Sequence, residues 1–221
     1  MTAIRGATAV VLSAPSGAGK TSIAKALVRT SNDFVFSVSA TTRSAREGEE
    51  EGVHYHFLGE ADFAAMREAG LLLEWAEVHR HLYGTPKSNL DEARRRGQRL
   101  ILDIDVQGAI QVRERVAEAV LVFVLPPSAE ILVQRLRGRG TEERAIVERR
   151  LRNAREELEW AEDFDYAVVN EDLDRTVAEV RAIALGEGDP SVRAIDLSDT
   201  IRQLQGRIDE ILETDFMSDP S

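Results

Sequence analysis

A glycine-rich turn between an apolar segment and a helical segment holds the residues best suited to chemistry. It reads Ala14-Pro15-Ser16-Gly17-Ala18-Gly19-Lys20-Thr21. Glycines let backbone amides turn towards phosphate oxygens, and the start of a helix adds partial positive charge. In such a loop the lysine reaches the β and γ phosphates and the hydroxyl ligates Mg²⁺. The segment therefore predicts a site for a magnesium-bound nucleoside triphosphate.

The first position of this loop departs from the strict motif, which begins with glycine. Ala14 stands there, so we expect a negative φ at that residue. A plain glycine-rich turn is the alternative, but the motif and its strand-to-helix context agree independently. The predicted triphosphate-binding residues are Ala14, Pro15, Ser16, Gly17, Ala18, Gly19, Lys20, Thr21 and Ser22.

Two arginines after the second strand-like segment suggest a second phosphate site. Arg43 and Arg46 are three positions apart in a loop, so both can face one anion. Each guanidinium offers a fork of donors that matches phosphate oxygens. Taken alone, the pair could equally be a solvated surface feature, as most exposed arginines are.

Two carboxylates stand at the end of a predicted buried strand further along the chain. Asp103 and Asp105 are two positions apart, and the period of a strand would put both on one side. The carboxyl end of a parallel strand is the usual place for ligands in such sheets. Alternatively, one of the two simply caps the following helix.

Strands alternate with helices over most of the chain, which predicts an α/β fold with a parallel sheet covered by helices, of the P-loop NTPase type. Residues 34–86 break the rhythm with short strand-like pieces around one helix, so we expect a small inserted α/β lobe of mixed strands there. The predicted core strands are Ala7–Ser13, Arg99–Asp105, Val120–Leu125 and Ala167–Asn170, and the pieces of the lobe begin with a strand at Phe34–Ser39.

Composition and charge narrow the class of protein. The chain has 221 residues, no cysteine and a net charge of -11, and residues 187–221 alone carry nine acidic and three basic residues. This balance argues against a nucleic-acid binder, and no apolar run is long enough to span a membrane. We therefore expect a cytoplasmic protein. An apolar stripe at Ile201, Leu204, Ile208 and Ile211 predicts an amphipathic helix that either docks on the body or contacts a partner.

The motifs taken together resemble guanylate kinases over roughly residues 7–186. A generic phosphate-loop protein has no reason to contain the additional segments, so the resemblance is specific. They are the Thr41-Thr42-Arg43 loop with Arg46, Gly48, Gly52 and Tyr55, the pairs Glu74-Trp75 and Tyr83-Gly84-Thr85, the segment Asp103-Ile104-Asp105-Val106-Gln107-Gly108, and Gly138-Arg139-Gly140-Thr141.

The resemblance implies the reaction of ATP with GMP to give ADP and GDP, with Mg²⁺ bound to ATP. It also implies a core of residues 1–36 and 87–186, a lid at about 137–152, and a GMP-binding lobe at 37–86. Residues 187–221 are then an acidic extension with one amphipathic helix.

The GMP site follows from the resemblance. A carboxylate at Glu74 would pair with the N1–H and 2-amino donors of guanine, a hydroxyl at Thr85 would donate to O6, and Asp105 would approach the amino group. Adenine would leave Glu74 unpaired, which disfavours it strongly. The implied GMP-binding residues are Ser39, Arg43, Arg46, Tyr55, Glu74, Tyr83, Thr85 and Asp105.

The resemblance also implies the catalytic groups. Arg135, Arg139 and Arg150 would close over the transferring phosphoryl group together with Lys20 and Arg43, and Asp103 would act near the hydration shell of the Mg²⁺ that Thr21 ligates. Asn170 is expected near adenine. A general base is unnecessary, because a phosphate monoester is already ionised near neutral pH.

Two other functions and the oligomeric state remain open. The chain could phosphorylate AMP, UMP or a dUMP-like acceptor, or it could be a catalytically inactive guanylate-kinase-like module that binds phosphopeptides. Glu74 and Thr85 disfavour another monophosphate acceptor. The inactive module is disfavoured by the presence of Gly19, Lys20 and Thr21, together with Asp103 and the lid arginines. A monomer and a homo-oligomer are both compatible with the sequence.

Overall fold

Strands and helices alternate along the chain in the computed structural model, which describes residues 7–78, 80–138, 143–187 and 197–216. The strands are β1 (Ala9–Ser13), β2 (Phe34–Phe36), β3 (Ser39–Thr41), β4 (Tyr55–Phe57), β5 (Leu72–Val78), β6 (His81–Pro86), β7 (Arg99–Asp103), β8 (Ala119–Leu125) and β9 (Tyr166–Val169). The helices are α1 (Lys20–Thr30), α2 (Glu60–Glu68), α3 (Lys87–Arg95), α4 (Val106–Arg115), α5 (Ala129–Arg137), α6 (Arg144–Glu157), α7 (Leu173–Leu185) and α8 (Ser198–Ile211).

One sheet has the strand order β2-β7-β1-β8-β9. Its pairs β2–β7 and β8–β9 are parallel, with Phe34 opposite Arg99 and Val122 opposite Tyr166. Every residue of β1 is buried, as expected for a nearly continuous apolar strand in a parallel sheet. The predicted α/β fold with a helix-flanked parallel sheet is confirmed.

A second sheet of four strands has the order β4-β3-β6-β5. It is mixed, because β3 pairs with β4 in parallel and with β6 antiparallel. Phe63 of α2 is fully buried against Ala40 and Leu72 and gives this sheet its own small core. The mixed character expected for residues 34–86 is therefore present.

The predicted strand at Phe34–Ser39 is wrong as a single element. Phe34–Phe36 pairs with β7 of the first sheet, whereas Ser39–Thr41 pairs with β4 of the second. Asn89 lies at the break, where its side-chain amide donates to the Val38 carbonyl at 2.8 Å. The strand β6 went unpredicted, because Gly84 and Pro86 are typical of turns and antiparallel pairing with β3 and β5 holds the segment extended.

The predicted strand ending at Asp105 is also too long. Strand β7 ends at Asp103, and Asp105 is the N-cap of α4, where its carboxylate accepts the Gly108 N–H at 2.7 Å. The alternative that one aspartate caps the helix is correct for Asp105. The prediction that the two carboxylates share one face of a strand is therefore wrong, because only Asp103 belongs to β7.

The C-terminal helix α8 packs on the chain itself. Ile201, Leu204 and Ile208 are buried, and α8 contacts α5 and α6. Asp209 accepts from Arg155 of α6 at 3.2 Å. The apolar stripe thus docks intramolecularly, which confirms the simpler of the two interpretations of this helix.

Backbone contacts divide the chain into two units. One contains residues up to 11 and 24–120, and the other contains residues 12–23 and 121 onwards. The domain limits expected from the sequence, with a lobe at 37–86 and a lid at about 137–152, stay a prediction. None of the described helices is both long and apolar enough to cross a membrane.

Candidate active site

The phosphate loop connects β1 to α1 in the second unit, as its motif predicts. Gly17 and Gly19 have φ of +91° and +97°, values that side chains rarely allow. Ala14 is not among the residues with positive φ, so the departure from the motif is accommodated as expected. The Ser22 amide donates to the Gly19 carbonyl at 3.0 Å and begins the helix.

Asn170 and Arg135 both contact the backbone of this loop. Asn170 Nδ2 donates to the Ala18 carbonyl at 2.7 Å, and Arg135 Nη1 donates to the same oxygen at 3.3 Å. The Nη2 atom of Arg135 donates to the Asn170 carbonyl at 3.3 Å. A β-carbon on Gly19 would lie 2.3 Å from Asn170 Nδ2, and side chains rarely adopt the φ of +97° found there, so glycine is strongly favoured. Asn170 therefore supports the loop, and its placement near adenine stays a prediction.

Arg150 and Glu157 of α6 reach the other side of the loop. Arg150 Nη2 donates to the Ser16 hydroxyl at 3.0 Å, and the Ser16 amide donates to Glu157 Oε2 at 3.3 Å. Sequence reasoning missed Glu157, because only the fold brings it to the loop. Arg139 lies outside the described residues.

A cavity of about 820 Å³ opens beside the loop. Its volume is in the range of small-molecule sites. Its lining consists of Ala14, Pro15, Ser16, Gly17, Gly19, Lys20, Thr21, Ser22, Arg135, Glu157, Asn170, Glu171 and Leu173.

A second cluster lies on the four-stranded sheet of the first unit. Arg43 Nε donates to the Tyr83 hydroxyl at 3.2 Å, and its guanidinium lies 5.3 Å from the centre of the Tyr55 ring. The two tyrosine rings meet edge to face at 5.9 Å, and burial raises the pKa of Tyr55. Ser39 stands opposite Tyr55 in the strand register. The structure thus brings together three of the predicted phosphate ligands, with Ser39 on the adjacent strand.

Glu49 binds the guanidinium of Arg43, a contact that the sequence analysis did not predict. Its two carboxylate oxygens accept from Nη1 and Nη2 at 2.9 Å each. The pair raises the pKa of Arg43 and lowers the pKa of Glu49 to about 2, chiefly through these hydrogen bonds. Arg46 is exposed, and its backbone amide donates to Glu49 as well. A turn that returns residue 49 to residue 43 has no recognisable sequence signal, so pattern analysis could not find it.

Glu74 is a buried carboxylate on β5, with 4% of its surface exposed. Burial raises its pKa to about 7. The Thr85 hydroxyl donates to Glu74 Oε1 at 2.6 Å. Thr85 therefore holds the Glu74 carboxylate in this structure. Its predicted donation to guanine O6 stays a prediction.

Asp105 lies close to Glu74 although it does not share a strand with it. A β-carbon on Gly108 would lie 2.8 Å from Glu74 Oε2 and 3.3 Å from Asp105 Oδ1, so both carboxylates approach this glycine. Gln111 fixes β5 beside α4 by accepting from the Trp75 amide and donating to its carbonyl. The packing of α4 against β5 builds the pair, and Gly108 provides the space.

The chain is similar to known proteins over most of its length. The sequence profile of the guanylate kinase family matches residues 6–185. The chain belongs to the guanylate kinase family. The guanylate kinase of Chelativorans sp. (strain BNC1) is 50% identical over 80% of this chain and 82% of its own length. That of Rhodococcus jostii (strain RHA1) is 45% identical over 86% and 93%.

A solved structure supports the same family. The guanylate kinase from Anaplasma phagocytophilum has a TM-score of 0.67 and 33% identity, and the match covers 97% of this chain and 98% of that one. The family resemblance drawn from the motifs is confirmed. Helix α8 lies beyond the residues that the guanylate kinase profile matches.

Proposed function

We propose that this protein transfers the γ-phosphoryl group of magnesium-bound ATP to GMP, yielding ADP and GDP. The observation that carries the choice of acceptor is the buried Glu74 carboxylate beside Asp105. Guanine presents adjacent N1–H and 2-amino donors that a carboxylate can pair, and adenine does not. A buried carboxylate without such donors is costly, which gives strong discrimination.

The acceptor phosphate binds at Arg43, with Arg46, Ser39, Tyr55 and Tyr83 as its further ligands. GMP brings a phosphate of charge near -2, and the positive charges of the two arginines offset it. The contact of Arg43 with Tyr83 and the Tyr55 ring supports this assignment.

The donor triphosphate binds at the phosphate loop. Lys20 and the loop amides hold its β and γ phosphates. Arg135 and Arg150, which contact Ala18 and Ser16, stabilise the charge that spreads over the transferring group. Arg139 is assigned the same role by its family position, and Asn170 is assigned to the adenine side.

Magnesium fits the groups that the chain offers. The described residues contain no cluster of three or more side chains able to hold a metal ion. Mg²⁺ in kinases needs only one or two protein ligands beside the phosphates, and we assign the Thr21 hydroxyl as one of them. The role of Asp103 near the hydration shell of the ion stays a prediction. The ion, when bound, neutralises charge on the phosphate oxygens.

Catalysis then consists of positioning and charge stabilisation. The attacking oxygen of GMP belongs to a phosphate with a second pKa of about 6, so it needs no base. Holding the two substrates in line removes the entropic cost of their encounter. The side chains of this chain act as clamps and counter-charges throughout.

A panel of monophosphates tests the proposal. ADP release from MgATP is measured with GMP, AMP, UMP and dUMP as acceptors under identical conditions. We expect kcat/KM for GMP to exceed each of the others by at least about 10³-fold. Faster turnover of AMP would show another nucleoside monophosphate kinase, and no ADP with any acceptor would favour the phosphopeptide-binding module. A cytoplasmic location and the absence of nucleic-acid and membrane partners stay predictions.

A further inference from the structure

The donors of Arg43 are almost fully committed within the protein. Its Nε–H donates to Tyr83, and Nη1 donates to the Ser44 carbonyl at 2.7 Å and to Glu49. One N–H of Nη2 goes to the other oxygen of Glu49. Arginine has five N–H groups, so the contacts among the described residues account for four of them. One N–H on Nη2 remains for an oxygen of a phosphate.

Glu49 fixes more than the guanidinium. Its Oε2 also accepts the backbone amide of Arg46 at 2.8 Å, and its own amide donates to the Arg46 carbonyl at 3.0 Å. One carboxylate therefore ties the side chain of one predicted phosphate ligand to the backbone of the other. Both side chains of the ion pair are well covered, with 11% of Arg43 and 19% of Glu49 exposed.

We propose that Glu49 is the positioning residue of the acceptor-phosphate site. It holds the Arg43 fork in a single orientation and sets the turn that carries Arg46, so that both arginines are arranged before GMP binds. This inference rests on the proposed assignment of Arg43 to the phosphate of GMP. A free arginine side chain loses considerable rotamer entropy on binding, and an internal partner removes that loss in advance.

The opposite behaviour is a clear competitor. If Glu49 merely occupied Arg43 and had to leave, its removal would strengthen the binding of phosphate. The two accounts therefore predict opposite signs for one substitution. The contact with the Arg46 amide favours positioning, since a carboxylate that left would also release the turn.

The test compares Glu49→Gln with the wild type using GMP and guanosine. Glutamine keeps the shape but replaces one acceptor oxygen by a donor, which cannot pair with Nη1 or Nη2. Steady-state kinetics give KM for GMP and kcat, and guanosine is measured as an inhibitor of GMP turnover. Glu47→Gln is the matched control, because Glu47 is an exposed carboxylate in the same loop.

We expect Glu49→Gln to raise KM for GMP by about 10- to 30-fold, the equivalent of the rotamer entropy of one arginine. The other constants should change less than about threefold: the inhibition constant of guanosine, KM for ATP and kcat at saturating GMP. The same limit applies to every constant of the control variant. Guanosine lacks the phosphate, so a general disturbance of the lobe would weaken both ligands in parallel and would overturn the proposal. An unchanged or lower KM for GMP would overturn the proposal too.

Arg43→Ala separates failure of this inference from failure of the assignment beneath it. Suppose that Arg43→Ala weakens the binding of GMP but not of guanosine, while Glu49→Gln weakens the binding of neither ligand. Arg43 then binds the phosphate, and Glu49 does not position it. If Arg43→Ala leaves GMP unchanged, the acceptor-phosphate site itself is assigned wrongly.

Discussion

The Thr85 hydroxyl donates its proton to Glu74 Oε1 at 2.6 Å, and both residues are buried. This contact orients the carboxylate on β5 towards Gly108 and opposes the effect of burial on its pKa. A carboxylate held in this way presents its second oxygen to a donor in a fixed direction. Base recognition at this site therefore depends on the charge state and orientation of one side chain.

Glu74→Gln should erode the preference for GMP over IMP. IMP lacks the 2-amino group, so it cannot use the second acceptor that Glu74 offers guanine. We expect the ratio of kcat/KM values for GMP and IMP to fall by at least about tenfold, since each lost hydrogen bond to a charged group is worth about 1.5–3 kcal/mol. Glu77→Gln, an exposed position on the same strand, is the control. An unchanged ratio in Glu74→Gln would remove this role.

Binding of the base should depend on pH through Glu74. Burial disfavours the ionised carboxylate and raises its pKa to about 7. Guanine donors favour the ionised form, so binding releases a proton and weakens as pH falls through that value, by up to about tenfold per pH unit. Guanosine inhibition between pH 5.5 and 8.5 isolates the base from the phosphate of GMP, with these limits chosen to bracket about 7. Glu74→Gln should abolish the dependence, and a persistent slope in that variant would assign it to another group.

Lys20→Ala should abolish turnover and leave the affinity for GMP unchanged. The lysine serves the phosphates of the donor nucleotide, so kcat should fall by at least about 10³-fold, as for other preorganised charge contacts. GMP affinity measured by calorimetry should change less than about twofold. Lys25→Ala, at an exposed position of α1, provides the matched control. Substantial turnover in Lys20→Ala would contradict the assignment of the loop.

Gly19→Ala should damage both the stability of the protein and its affinity for ATP. The added β-carbon would lie 2.3 Å from Asn170 Nδ2, and the φ of +97° adds strain. We expect the free energy of unfolding to fall by at least about 1–3 kcal/mol, with ATP affinity reduced more than GMP affinity. Gly206→Ala is the informative control, since nothing lies within 4 Å of its site in α8. That change should stabilise by about 0.5–1 kcal/mol. Equal effects of the two changes would refute the close approach of Asn170.

Ile208→Ala tests the docking of α8. Ile208 is fully buried, and its truncation should lower the free energy of unfolding by about 2–5 kcal/mol in a urea titration. Gln203→Ala, exposed on the same helix, should change it by less than about 0.5 kcal/mol. If Ile208→Ala leaves stability unchanged while altering the molecular mass in solution, the stripe serves a partner in place of the body.

Much of the core fold was predictable because its signals are local. Apolar runs mark β1, β7 and β8 to within two residues. The division between β2 and β3 was not predictable, because both halves have strand-like residues and only their partners differ. Strand β6 was not predicted either, because its composition is typical of a turn and its pairing with β3 and β5 makes it a strand.

The sequence by itself determined the phosphate loop, the pair of arginines and the family, because these depend on residue types at short, fixed spacings. Three contacts were decided only by the tertiary structure. Glu49 binds Arg43, Thr85 binds Glu74, and the Asn170 side chain lies against Gly19. Those contacts join residues that are distant in the chain or related by an irregular turn. Their partners depend on strand pairing and helix packing, which no local pattern encodes.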